Sequence, residues 1–138
     1  MLFKQFGDTL VEELDNIKDG YDARCDLSDI DHVMTKMTMD ERLKYVETCK
    51  EKDIESFEHW LKIYIAGLIE KVYNDKGIKP PDWVMKDIYK YDTVDECRCA
   101  QFFKGYSDYR QLVDLELQNS LPEFRWRNMI CDGMFDSF

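Results

Sequence analysis

No run of this chain is free of charge for long enough to cross a membrane, because charged residues make up 35% of the sequence and interrupt every apolar stretch. Histidine occurs only twice. Neither His32 nor His59 has a partner at metal-ligand or catalytic spacing, so general acid or base work by either lacks the neighbour it needs. No glycine-rich loop is set to cradle a phosphate, and no serine sits in a nucleophile elbow. The five cysteines, Cys25, Cys49, Cys97, Cys99 and Cys131, are odd in number and lack the dense spacing of a secreted disulfide scaffold, which points to reduced thiols. Cys97 and Cys99 are separated by one residue rather than two, and no second pair completes a zinc set, so no metal or other cofactor is expected. Alternating β-branched runs and internal repeats are also missing.

What the chain does have is a long apolar pattern. From Asp53 to about Asp75, Phe57, Trp60, Leu61, Tyr64, Ile65, Leu68 and Val72 recur at spacings of three and four, which predicts one long helix with a broad apolar stripe. Glu58, Lys62, Glu70 and Lys71 fall on the opposite side. Such a helix is roughly 33 Å long, comparable to the diameter of a small domain, so other helices must pack along it. With 138 residues and 44% apolar content the chain is long and apolar enough for one domain with a real core. The expected fold is an all-α bundle of six or seven helices around this central one.

Taken in order, Leu2 to Lys18 predicts a first helix (Phe3, Phe6, Leu10, Leu14, Ile17), with carboxylates on its other faces and a stop at Asp19-Gly20. Asp22 to Asp26 reads as connection, and Ser28 with Asp31 as the capped start of a short helix carrying Ile30, Val33, Met34 and Met37. Another short helix starts near Thr38 or Asp40 and runs to Cys49. Gly77 closes the central helix, and Lys79-Pro80-Pro81-Asp82 makes a rigid turn. Beyond it, Trp83, Val84 and Ile88 are expected to face inward, and Phe102 with Phe103 to plug the core. Ser107 or Asp108 caps a helix over 109–117. Ser120-Leu121-Pro122-Glu123 predicts the last helix start, with serine as cap and glutamate reaching back. Phe135 and Phe138, on the tail after Gly133, are expected to dock onto this domain or another chain. The amino-terminal MLFKQFGDTLVEEL meets Asp8, Glu12 and Glu13 before an apolar core of signal-peptide length forms, so a cytoplasmic setting without signal or transit peptide is expected.

Charge is uneven. There are 19 basic residues against 29 acidic, and the net charge of −10 lies mostly at the front: 8 against 16 through Glu58, then 11 against 13 from His59 onward. Between positions 8 and 31, Asp8, Glu12, Glu13, Asp15, Asp19, Asp22, Asp26, Asp29 and Asp31 face only Lys18 and Arg24. Such a surface repels phosphate, which argues against direct nucleic-acid or anionic-membrane binding, and attracts a basic partner. Residues 15–26 overlay a calcium loop poorly, since Ile17 stands at a ligand position and Asp26 replaces the final bidentate glutamate. The one concentrated basic and aromatic patch is Arg125, Trp126 and Arg127. It reads either as a partner anchor or, more simply, as a clamp neutralising the acidic first helix.

Pro80-Pro81-Asp82-Trp83-Val84 and Pro122-Glu123-Phe124-Arg125-Trp126-Arg127-Asn128 resemble a set of small bacterial proteins that share a PPxWV-like turn and a closing PEFxxRN segment. These are sometimes encoded beside toxin–antitoxin or defence genes. The resemblance covers the second half of the chain, and Cys131-Asp132-Gly133 interrupts the apolar ending it leads one to expect. It implies association with a partner rather than catalysis. The resulting expectation is a non-catalytic acidic module that neutralises or escorts a basic protein, antitoxin-like or immunity-like. The alternatives are a phage-type inhibitor that mimics nucleic acid and an enzyme holding a divalent ion on Asp15, Asp19, Asp22 and Asp26.

Overall fold

The computed structural model describes residues 8–18 and 23–134, the side chains of 23–26 excepted. Among these residues there are seven α-helices, four short 3-10 turns and no strand. The first, α1 (Leu10–Lys18), begins where Thr9 Oγ1 accepts the Glu12 N–H and the Glu12 carboxylate accepts the Asp8 N–H at 2.7 Å, satisfying donors that a helix start leaves open. The part of the expected first helix before Asp8, and its stop at Asp19-Gly20, lie outside the described residues.

The second helix, α2 (Ala23–Thr35), starts well before the expected cap at Ser28, and 23–26, expected as connection, is helical. No glycine or proline intervenes there, and Leu27, Ile30 and Met34 all reach the core from one face, which the longer helix provides. In α3 (Met39–Val46) the cap falls on Thr38. Its Oγ1 accepts the Glu41 N–H while the Glu41 carboxylate accepts the Thr38 N–H, so two donors left open by the helix start are satisfied reciprocally.

The central helix, α4 (His59–Asp75), is shorter than the apolar pattern predicts, about 25 Å rather than 33. Glu51–Asp53 instead forms a 3-10 turn, with the Asp53 carboxylate accepting the Lys50 N–H at 2.8 Å, and Ile54 drops directly into the core. The helix is also buried more fully than one stripe implies: Ile63, Ala66, Gly67 and Ile69 are inside along with Leu61, Ile65, Leu68 and Val72. Glu70, placed by periodicity on the solvent side, is buried too. Its end is as expected. Gly77 takes φ 71°, its N–H bonds the Asn74 carbonyl, and the Ile78 N–H bonds the Tyr73 carbonyl, the paired closure that a left-handed glycine permits.

After α4 the chain follows the helix back through two 3-10 turns, Asp82–Met85 and Asp87–Tyr89, that place Val84 and Tyr89 against it. Ile88, expected inside, is exposed: the separate turns do not hold one helical face over 83–88. A third turn, Val94–Glu96, leads into α5 (Arg98–Gln101), then α6 (Tyr109–Gln118) and α7 (Pro122–Arg125). Ser120 is not the cap of α7. Its hydroxyl donates to the Glu116 carbonyl and accepts the Cys131 N–H at 3.0 Å, joining the end of α6 to the closing segment. Helices α3 and α7 and the 82–89 turns pack on α4, α1 lies against α2 and α3, and α5 and α6 gather around the 94–96 turn. Among the described residues no helix is long and apolar enough to cross a membrane.

Candidate functional site

The two segments singled out by their motifs meet in space. Arg127, with none of its surface exposed, reaches from the turn after α7 to the Glu70 carboxylate on α4, while its Nη1 and Nη2 donate to the Glu123 and Val84 carbonyls, each at 2.6 Å. The Trp126 indole N–H donates to the same Glu70 oxygen at 2.9 Å, and the Arg127 guanidinium lies 4.2 Å from the Trp126 ring centroid. Asn74 donates to the Glu123 carboxylate at 2.8 Å. Burial lowers the Arg127 pKa against the opposing pull of Glu70 and Glu123. A buried charge persists only when it is paired and hydrogen-bonded; here the bonds of the two terminal nitrogens join α4, the Asp82–Met85 turn and α7, while Arg127 Nε is buried without a partner.

Arg127 is therefore a structural tie with no surface for a partner, and it pins the last helix to α4 rather than to the acidic first helix. Arg125 is exposed, and its Nη2 donates to the Ser120 carbonyl at 2.8 Å. Trp126 is half-buried. Phe135 and Phe138 lie outside the described residues. The 57-residue separation between Glu70 and Arg127 hides their pairing from local sequence reading.

The acidic front is only partly a surface. Asp8, Glu12 and Asp15 are exposed, and Asp29 and Asp31 are half-buried on α2. Glu13 is fully buried, on the same side of α1 as Leu10 and Leu14, and presents no carboxylate outward. Asp19 and Asp22 fall outside the described residues, as does the side chain of Asp26. Among the described residues no group of three or more histidine, cysteine, aspartate or glutamate side chains is arranged to hold a metal ion. His32 and His59 are both exposed, His59 standing edge-on to the Tyr91 ring at 5.6 Å.

The most prominent apolar surface was expected to be core. Phe102 is 81% exposed and Tyr106 60%, with Phe103 half-buried between them. Successive residues on a helix diverge by about 100°, so adjacent phenylalanines cannot both enter one core face, and that spacing was the available signal. Phe102 borders a shallow hollow with Arg98, Cys99 and Gln101. Arg98 and Cys99 also line a neighbouring apolar cavity of about 250 Å³, whose other walls are the rings of Trp60, Tyr64 and Tyr91 and the side chains of Met129, Ile130 and Cys131. The Arg98 guanidinium lies 5.7 Å from the Trp60 ring centroid. Hollow and cavity adjoin through Arg98 and Cys99 and are assembled from α4, α5, Tyr91 and the closing segment. Chemically they offer desolvated contact with a polar rim, the composition of an interface core.

No family model matches the chain, and neither a curated protein nor a solved structure matches it.

Proposed function

We propose that this protein is a non-catalytic, protein-binding module of the cytoplasm that neutralises or escorts a basic partner, in the manner of an antitoxin or immunity protein. The observation that carries it is Phe102, a large apolar side chain 81% in solvent beside a ready-made aromatic cavity. Large exposed aromatics in such settings are the anchors that partners desolvate. The exposed carboxylates Asp8, Glu12 and Asp15, within a net charge of −10, supply the field that steers a basic partner in, and short-range apolar contact then holds it.

Affinity capture from the source cell with the whole chain, in low and in high salt, tests this, with Phe102→Ala and Tyr106→Ala in parallel. One partner is expected to be retained by the wild type. Binding measured with that purified partner should weaken at least ~30-fold in Phe102→Ala, corresponding to a loss of ~2 kcal/mol. Thermal stability of the variant should be unchanged, because the ring contributes little to the core. A partner held equally well by both variants refutes the assignment. Displacement of the partner by duplex DNA supports the nucleic-acid mimic instead, for which the exposed Asp8, Glu12 and Asp15 are the corresponding feature.

A further inference from the structure

We infer that Cys97 and Cys99 form a peroxide-reactive thiol pair, with Cys97 the attacking sulfur, Cys99 the resolving one, and the apolar cavity beside them the entry path for a small neutral hydroperoxide. Both residues line the cavity of about 250 Å³, and Cys99 also opens onto the Phe102 hollow. The two differ in exposure. Cys97 is 3% exposed at the cavity wall, whereas Cys99 stands at the surface.

Their spacing suits closure. Arg98 between them is the first residue of α5, and two helical steps separate their Cα atoms by roughly 5.4 Å. That lies inside the span of about 4.4–6.8 Å that a disulfide bridges. The electrostatics divide the roles. The neighbouring Cys99 thiol does most to favour the Cys97 thiolate, and the backbone N–H dipoles of Ile130, Cys99 and Ala100 add to it against the cost of burial, bringing Cys97 down to about 6. Cys99 is pushed upward by the same contact and remains the proton holder. Burial lifts Cys131, which also lines the cavity, to about 11 and Cys49 to about 12, so each stays a thiol at neutral pH and neither is the nucleophile.

The chemistry closes in two steps. The Cys97 thiolate attacks one oxygen of the hydroperoxide, an S–O bond forms, the O–O bond breaks, and sulfur is oxidised by two electrons to the sulfenic acid. The departing hydroxide or alkoxide takes the Cys99 proton and leaves as water or an alcohol. The Cys99 thiolate so formed attacks the Cys97 sulfur, the S–S bond forms, the S–O bond breaks, and hydroxide leaves to be protonated by solvent. A cavity of this size lined by aromatic rings admits hydrogen peroxide or a small organic hydroperoxide. It excludes a charged tripeptide disulfide, which would have to desolvate its carboxylates to reach Cys97.

The reduced full-length chain, treated with equimolar hydrogen peroxide or cumene hydroperoxide, is expected to lose two hydrogens by intact mass. Peptide mapping should place the new bond between Cys97 and Cys99 within one chain. Cys99→Ser should stop at the sulfenic acid and be labelled by dimedone at Cys97, and Cys97→Ser, which lacks the attacking sulfur, should form no such bond and consume peroxide at least tenfold more slowly. Oxidised glutathione at the same concentration should leave Cys97 unmodified. The assignment is overturned if Cys99→Ser takes up no dimedone, or if the bond maps to Cys131, Cys49 or Cys25 or between chains. Peroxide consumption by Cys97→Ser at the wild-type rate would overturn it too. Since Cys99 is exposed, Cys99→Ser retains the fold, and its dimedone labelling decides the matter even where Cys97→Ser does not fold. No partner protein enters these assays, so their outcome is independent of the proposed binding function.

Discussion

Gly67 sits in the middle of α4, where alanine would ordinarily be the better residue by about 1 kcal/mol. Its missing side chain is filled by Phe124 of α7. A Cβ added to Gly67 would meet Phe124 Cε1 at 2.5 Å, Cζ at 2.7 Å and Cδ1 at 3.0 Å. Carbon atoms pack comfortably at about 3.5–4.0 Å, so the ring would have to retreat by roughly 1 Å. It has little room to do so, being fully buried and tilted against Tyr64 with ring centroids 5.7 Å apart. Overpacking of this kind costs about 1–3 kcal/mol, and a clash with three ring atoms at once belongs at or above the upper end. Set against the propensity gain, Gly67→Ala should destabilise the protein by ~2 kcal/mol or more. At about 2.1 cal/mol/K of unfolding entropy per residue that lowers the melting temperature by roughly 7 °C or more. Phe124→Leu alone should also destabilise, by leaving a void, but in the double variant the added methyl occupies part of that void, so the two losses should not add. Thermal and urea denaturation of all four proteins measure this. A Gly67→Ala protein as stable as the wild type, or strictly additive losses, would show that the glycine does not exist to seat the ring.

Glu70→Gln should cost ~3–5 kcal/mol, because it leaves the Arg127 guanidinium buried without its counter-charge. Arg127→Met should cost a similar amount by stranding the Glu70 carboxylate and the Val84 and Glu123 carbonyls, while Glu70→Leu with Arg127→Met should lose less than the summed single losses; additive losses in urea denaturation would count against a coupled tie. The Cys97 thiol has a lower pKa folded, about 6, than its ordinary 9, so between these values the unfolded chain binds more protons and stability rises with pH. The thiolate's contribution is full above about pH 9 and lost as pH falls through 6. Under reducing conditions the stability difference between wild type and Cys97→Ser should widen from pH 6 to 9, and a flat difference would refute the assignment. Tyr45, Tyr64 and Tyr89 have the opposite sign: burial raises each above 10, so their contribution is intact below pH 10 and drains away above it as the unfolded phenols ionise.

Local chemistry was legible wherever neighbouring residues decide the backbone. The start of α3 near Thr38, the end of α4 at Gly77, and the recurrence of Leu61, Ile65, Leu68 and Val72 that makes a buried helix each depend on short spacings along the chain. The all-α class followed from the same periodicity. Periodicity could not say how many sides of α4 are covered. That depends on elements arriving from elsewhere, and it is why Glu70 turned inward against a residue 57 positions away. Nor could it tell which of the two adjacent phenylalanines faces solvent, or that Glu13 would sit in the core while Asp8, Glu12 and Asp15 remain outside.

The sequence alone determined a helical, acidic chain with reduced cysteines expected, since composition and short-range spacing suffice for those. The tertiary structure alone decided which charges are buried and tied, and that Cys97, Cys99, Trp60, Tyr64 and Tyr91 share one cavity wall. The physical reason is that burial and cavity formation are properties of surfaces brought together over long chain separations, and no local spacing encodes them.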